Sequence, residues 1–249
     1  MRPRRRGRGR RAAALLLAVL SATPVWAARP LDTEDPGTVP PGNVEIELSL
    51  DYLEIERSRL GGTKAVLSLG VVTNLEVRVE AAALVLGPER HDIEGGVGDT
   101  LLGVKYRLLD ETDARPAVLT AVNLRLPTGD ASRGFGAPGT DVTVLAVVGK
   151  SFGPVALIGN AGYSFVTEDR NRDTWTLGAS VEWAVGRKWS VAAEVVSVVN
   201  AHASEHGAIA RTGVLWRAHP RAIFDAAIGV GLTRTSPDVV ATVGVTLRF

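Results

Sequence analysis

The chain has 249 residues, 45% of them hydrophobic and 22% charged, with 28 Lys and Arg against 27 Asp and Glu for a formal net charge of +1. It contains no cysteine, which excludes a disulfide framework, a thiolate metal site and an acylated N-terminal cysteine.

Residues 2–11 hold seven arginines and no acid, residues 12–20 form a short apolar run, and Val25-Trp26-Ala27 sets small or aliphatic side chains where a signal peptidase reads. This predicts a cleaved signal peptide over residues 1–27. The apolar run falls well short of the roughly 20 residues that a membrane-spanning helix needs. It also argues for export over a basic patch for nucleic acid, so no nucleic-acid partner is expected. Without the seven leader arginines, 21 basic side chains face 27 acidic ones, a net charge of −6. Residues 28–42 are rich in proline, glycine and acids, with too few apolar side chains to offset the entropy of ordering them, which predicts a flexible periplasmic lead-in.

From Val44 onward the hydrophobic period is two, and no window sustains an apolar repeat of 3.6 residues, so helical bundles and βαβ folds are excluded. Strands are predicted near residues 44–52, 64–71, 75–83, 98–108, 116–126, 140–150, 155–165, 174–184, 189–198, 208–217, 222–231 and 238–249. In the first, Val44, Ile46, Leu48, Leu50 and Tyr52 share one face while Glu45, Glu47, Ser49 and Asp51 share the other. In the last, Val239, Ala241, Val243, Val245, Leu247 and Phe249 oppose Thr242, Gly244, Thr246 and Arg248.

A soluble sandwich would alternate in the same way, but three features favour a membrane barrel. Longer connections around 53–63, 84–97, 127–139, 166–173, 199–207 and 232–237 alternate with tight turns near 72–74, 110–114, 152–154, 186–188 and 219–221, the asymmetry of long outer loops and short periplasmic turns. The aromatics gather at strand ends: Tyr106, Trp183, Trp189, Trp216, Phe224 and Phe249 beside the turns, and Tyr52, Phe165 and Trp175 beside the loops, as two interfacial belts require. The polar face carries both charge signs at depths where a lipid-facing charge costs about 2 to 4 kcal/mol, so it should face a wet interior. The expected fold is therefore all-β, an antiparallel up-and-down transmembrane β-barrel of about twelve strands over residues 43–249.

The side chains expected to line the lumen are Glu45, Glu47, Lys64, Glu76, Arg78, Glu80, Lys105, Arg107, Asn123, Arg125, Asn160, Glu182, Glu194 and Arg211. Their other reading is a scaffold of charges that mainly satisfy one another. Barrel enzymes exist, and His91 with Glu89 and Asp92, or His202 and His206 with Ser204 and Glu205, could form histidine-acid or serine-histidine pairs. Polar loop tips seldom hold a base in place. No third ligand accompanies His202 and His206, and Gly95-Gly96-Val97-Gly98 and Gly134-Phe135-Gly136 do not open a helix as phosphate cradles do. No catalytic residue, metal or cofactor is expected.

The stretches LDTEDPGTVPPGNVEIEL, GGVGDTLLGVKYRLLDE, LRLPTGD and GTDVTVLAVVGKSFGPVALIGNAGYSF resemble the outer-membrane family named for a meta-pathway of phenol degradation, across nearly the whole mature chain. The resemblance implies an outer-membrane location and a transport role, without identifying a solute or a catalytic motif. The terminal VGVTLRF resembles the signal by which barrel-assembly machinery recognises its clients, with Val243 where a polar residue is common. The expected function is a passive channel or transporter for small solutes, aromatic compounds by resemblance. The alternative is a structural or loop-mediated binding barrel with a filled lumen and no transport. The expected partners are outer-membrane lipid, the assembly machinery and small solutes.

Overall fold

A computed structural model describes residues 29–55, 58–87 and 93–249. The predicted signal peptide and His91, with Glu89 and Asp92, lie outside the described residues. Among those, thirteen strands follow in order: β1 (Val44–Ile55), β2 (Ser58–Val72), β3 (Leu75–Gly87), β4 (Glu94–Val97), β5 (Thr100–Leu109), β6 (Ala117–Leu126), β7 (Asp141–Phe152), β8 (Val155–Val166), β9 (Thr174–Ala184), β10 (Trp189–Asn200), β11 (His206–His219), β12 (Ala222–Gly231) and β13 (Val239–Arg248). Both β4 and β5 pair with β3, broken only at Gly98-Asp99, so they form one stave and the barrel has twelve. Every pairing is antiparallel between sequence neighbours, and β13 returns to β1 from Glu45↔Arg248 to Glu54↔Val239. At that seam the Val44 N–H donates to the Phe249 carbonyl (3.0 Å) and the Phe249 N–H to the Val44 carbonyl (2.8 Å). Apart from the short loop-end strand β4, whose one pairing among the described residues is with β3, closure leaves no open edge, the condition for a sheet surrounded by hydrocarbon. The chain is an all-β, antiparallel, up-and-down transmembrane β-barrel.

Alternation sets the outward face. Leu50 is 63% exposed and Leu177 49%, whereas Glu76 and Glu182, on the inward face, are 4% and 5% exposed. No helix among the described residues is long and apolar enough to cross a membrane; the strands do so. Ten residues rising about 3.4 Å each, with the usual tilt, match an apolar band roughly 25 Å tall. The belts are built by register: Trp189↔Trp216↔Phe224 places three rings side by side at the turn end, 5.7 and 5.6 Å apart. At the loop end Tyr163 meets Phe165 and Trp175 edge to face at 4.7 and 4.8 Å.

Three details differ from the sequence expectation. The connection expected at 53–63 is mostly strand, with Leu53↔Leu60, Glu54↔Arg59 and Ile55↔Ser58 extending the β1–β2 hairpin. Above the lipid the polarity inverts, so that Leu53 and Leu60 line the interior while Glu54 and Arg59 form an outward pair at 4.0 Å. The connection at 127–140 is a folded loop. Its Phe135 is 1% exposed and lies so close to Gly96 that a Cβ there would come within 2.5 Å of the ring. Asp99 accepts from the Gly129 and Ala137 amides (3.0 and 2.9 Å), while Arg125 pairs with both Asp99 and Asp141. Finally, the inner face of β6–β8 carries an apolar cluster: Leu119, Ala121, Val147 and Ile158 pack together, with Leu145 against them. Side chains fill the lumen beside those three strands.

Candidate functional site: a charged segment in the lumen

Residues 29–39 run inside the barrel and residues 40–42 lead to β1, where the sequence reading expected a flexible periplasmic lead-in over 28–42. Twelve staves enclose more room than side chains alone fill in an eight-stranded barrel, and this segment takes up part of it. It follows the inner wall from β13 and β12 toward β8, crosses to β3 and β5, and descends to β1. Arg29 pairs with Asp225 (3.0 Å) and donates to the Thr242 hydroxyl (2.9 Å). Glu194 accepts the backbone N–H groups of Asp32 (2.9 and 3.1 Å) and Thr33 (2.9 Å), and Asp32 receives two 2.7 Å bonds from Arg211. Asn160 both accepts from the Glu34 N–H (2.7 Å) and donates to its carbonyl (2.9 Å). Leu31 packs against the apolar cluster of Ala192, Leu215 and Ile223, and Val39 donates its N–H to Glu76 (2.9 Å).

The physical reason for order is charge and backbone satisfaction, not apolar area. Buried amides must find acceptors, and here inward carboxylates and an inward amide supply them. Proline at 30, 36 and 40 lowers the entropy lost on docking. The sequence carries a signal of this path in the inward glycines. A Cβ at Gly213 would meet Pro30 at 2.7 Å, one at Gly178 would meet Thr33 at 2.7 Å, and one at Gly244 would overlap the Arg29 guanidinium. Glycine inside a strand often marks close approach of another backbone.

Glu34 is the central latch. Its carboxylate pairs with Arg78 at 2.5 Å and Lys105 at 2.8 Å, and all three side chains are largely shielded from solvent. Arg78 also donates to the Asn123 side chain (3.2 Å). Two cavities of about 460 Å³ each lie on either side of this level. The one toward the loops is bounded by Lys64 and Glu80 (3.9 Å apart), Arg211, Asp51, Leu53, Leu60 and Leu84. The one toward the turns is bounded by Glu45, Glu76, Lys105, Arg107 and Arg248. Glu34, Glu47 and Arg78 border both.

The residues expected to line a lumen thus divide into three groups. Glu45, Glu47, Lys64, Glu76, Arg78, Glu80, Lys105, Arg107 and Arg211 border the cavities, Glu45 paired with Arg248 at 2.6 Å and Arg107 with Asp110 at 2.9 Å. Asn123, Asn160 and Glu194 hold the segment or its latch. Arg125 braces the 127–140 loop, and Glu182 of β9 pairs with Arg217 of β11 at 2.8 Å. Sequence reasoning missed Arg29, Asp32 and Glu34.

The described loop histidines, His202 and His206, make only long contacts. His206 Nδ1 lies 3.4 Å from the Ser204 carbonyl, and His202 Nε2 lies 3.8 Å from the Asp173 carboxylate. Among the described residues no group of three or more His, Cys, Asp or Glu side chains is arranged to hold a metal. Asp173 is instead a tie between loops. It accepts from the Val166 N–H (2.8 Å), the Tyr163 hydroxyl (2.9 Å) and Arg170 (2.7 Å). Burial alone would raise its pKa, but these donors outweigh it and hold the carboxyl below its ordinary range. A depressed folded value gives stabilisation that is complete above the ordinary aspartate pKa and lost as pH falls through the folded one. Asp173→Asn should therefore speed trypsin cleavage after Arg170 and Arg172 at neutral pH. With pepsin in strong acid, wild type and variant should be cut at the same rate; a difference persisting there would contradict the assignment.

A profile of the family described as "Putative MetA-pathway of phenol degradation" matches residues 27–249. Among solved structures, the chain is similar to an outer membrane channel from Pseudomonas putida F1, at 14% identity and a TM-score of 0.67, over 88% of this chain and 100% of that one. It also resembles the NanC porin (9% identity, TM-score 0.61, 81% of this chain and 98% of that one) and the KdgM porin (8%, 0.61, 82% and 99%). No curated protein matches. Sequences this far apart share the barrel fold, and the family match over nearly the whole chain gives the further result that this protein belongs to the family named for the meta-pathway of phenol degradation.

Proposed function

We propose that the protein is a passive channel of the bacterial outer membrane for small solutes, with aromatic compounds the class suggested by the family's description. The observation that carries this reading is the pair of cavities meeting at Glu34, Glu47 and Arg78 along the β13–β1–β2–β3 wall, one toward each end of the barrel. The apolar cluster of Leu119, Ala121, Val147 and Ile158 fills the lumen beside β6–β8, so solutes would follow the other side, past the N-terminal segment. The fold shared with porins supports a conduit, with the loop end outside the cell and both chain ends on the periplasmic side. A signal peptide over residues 1–27 and recognition of β13 by the assembly machinery belong to the same reading.

The ordered segment and the paired inward cations favour a second reading, a filled scaffold whose loops bind a partner. Planar bilayers separate the two. The purified full-length protein should give discrete, stepwise openings, and a silent bilayer containing correctly folded barrel would favour the scaffold.

A further inference from the structure

The cations that border the two cavities are all committed. Arg29 faces Asp225, Lys64 faces Glu80, Arg78 and Lys105 share Glu34, Arg107 faces Asp110, Arg211 faces Asp32 and Glu194, and Arg248 faces Glu45. The carboxylates are not. Among the described residues, nothing bonds to or pairs with the Glu47 carboxylate, and Asp51 receives only the Ser49 hydroxyl at 2.7 Å. Glu47 borders both cavities at the level where they meet, and Asp51 borders the one toward the loops. Burial acts most on Glu47, followed by Glu45 and Glu34, of like sign, and by Arg29 and Lys105, each already paired with its own acid.

A paired guanidinium presents little net field to a passing ion, whereas a lone carboxylate at a narrow place flanked by low-dielectric walls attracts cations and repels anions. We propose that Glu47 gives this passage a preference for cations, and that small ammonium compounds with an apolar body are its favoured solutes. The apolar body follows from the outer cavity, where Leu53, Leu60, Leu84, Ile209 and Val240 form a wall beside Asp51 and above Glu47. An alkylammonium ion would lay its chain on that wall and its charge at the carboxylates, keeping a polar partner as it sheds water. The inference rests on the conduit reading.

The test uses the full-length protein in planar bilayers under a potassium chloride gradient. The reversal potential should show potassium more permeant than chloride. Glu47→Gln should lower the permeability ratio several-fold, Glu47→Asp should retain it, and Asp130→Asn, an outer-loop control, should leave it unchanged. Butylammonium added at the loop side should reduce the current of the wild type and lose this effect in Glu47→Gln, while butyrate should have little effect on either. A wild-type preference for chloride, or a ratio unmoved by Glu47→Gln in a channel that conducts, would overturn the proposal and leave the conduit standing. Stronger block by butyrate than by butylammonium would overturn the solute class. A folded barrel that never conducts would bring down both readings at once.

Discussion

Deletion of residues 29–40, with the leader retained, should raise the unit conductance several-fold in planar bilayers. The segment crosses the lumen between cavities of about 460 Å³ each, and the meeting level is bordered by its own Glu34. Removing it joins the cavities along the β1–β3 wall and also vacates the strip beneath Gly178, Gly213 and Gly244. The barrel itself should survive, because its ring of strand pairings does not use the segment. Heat-modifiable migration on gels reports that survival independently of current. An intact barrel whose conductance is unchanged by the deletion would show that solutes do not pass where the segment lies.

Glu34→Ala should have the second largest effect, acting on docking and not on the barrel. The substitution leaves Arg78 and Lys105 with no shared carboxylate in a shielded site. Breaking a buried pair by removing one partner costs about 3 to 5 kcal/mol. Arg78 keeps Asn123, and the cavities admit water, so the lower end applies; about 3 kcal/mol moves the docked to undocked ratio by roughly two orders of magnitude. The readout is a larger-conductance state, rare in the wild type and prevalent in Glu34→Ala. Glu34→Asp should fall between. If Glu34→Ala gates as the wild type does, the latch assignment fails.

The strands were legible because lipid enforces a strict alternation, and a single polar slip on the outer face would be costly. Legibility stopped where that constraint stops. Beyond Tyr52 the outward positions leave the hydrocarbon, so Glu54 and Arg59 face out while Leu53 and Leu60 face in, and a strand looks like a loop. The break at Gly98-Asp99 serves the 127–140 loop, whose amides Asp99 receives, a long-range relation invisible to local pattern. The same limitation hid the lumen segment. Apolar content measures ordering by the hydrophobic effect, but this stretch is ordered by Arg29, Asp32 and Glu34, each meeting an opposite charge from a strand far away in sequence. That charges occupy the positions between the apolar ones was legible in the strands. Their partners on the segment were not, since nothing local distinguishes a threaded chain from a free one except the glycines that make room for it.

The divided lumen and its latch both require the N-terminal segment to be docked within the folded barrel. Because the natural chain has no cysteine, a Thr33→Cys, Ser180→Cys pair can be joined by oxidation or a short bismaleimide without competing thiols, at a place where the two hydroxyls stand 3.0 Å apart in the lumen. The account predicts efficient intramolecular cross-linking in folded barrels within native membranes, with the small conductance locked in afterwards. Failure to cross-link in barrels that remain heat-modifiable, with both thiols freely labelled by a soluble maleimide, would contradict it.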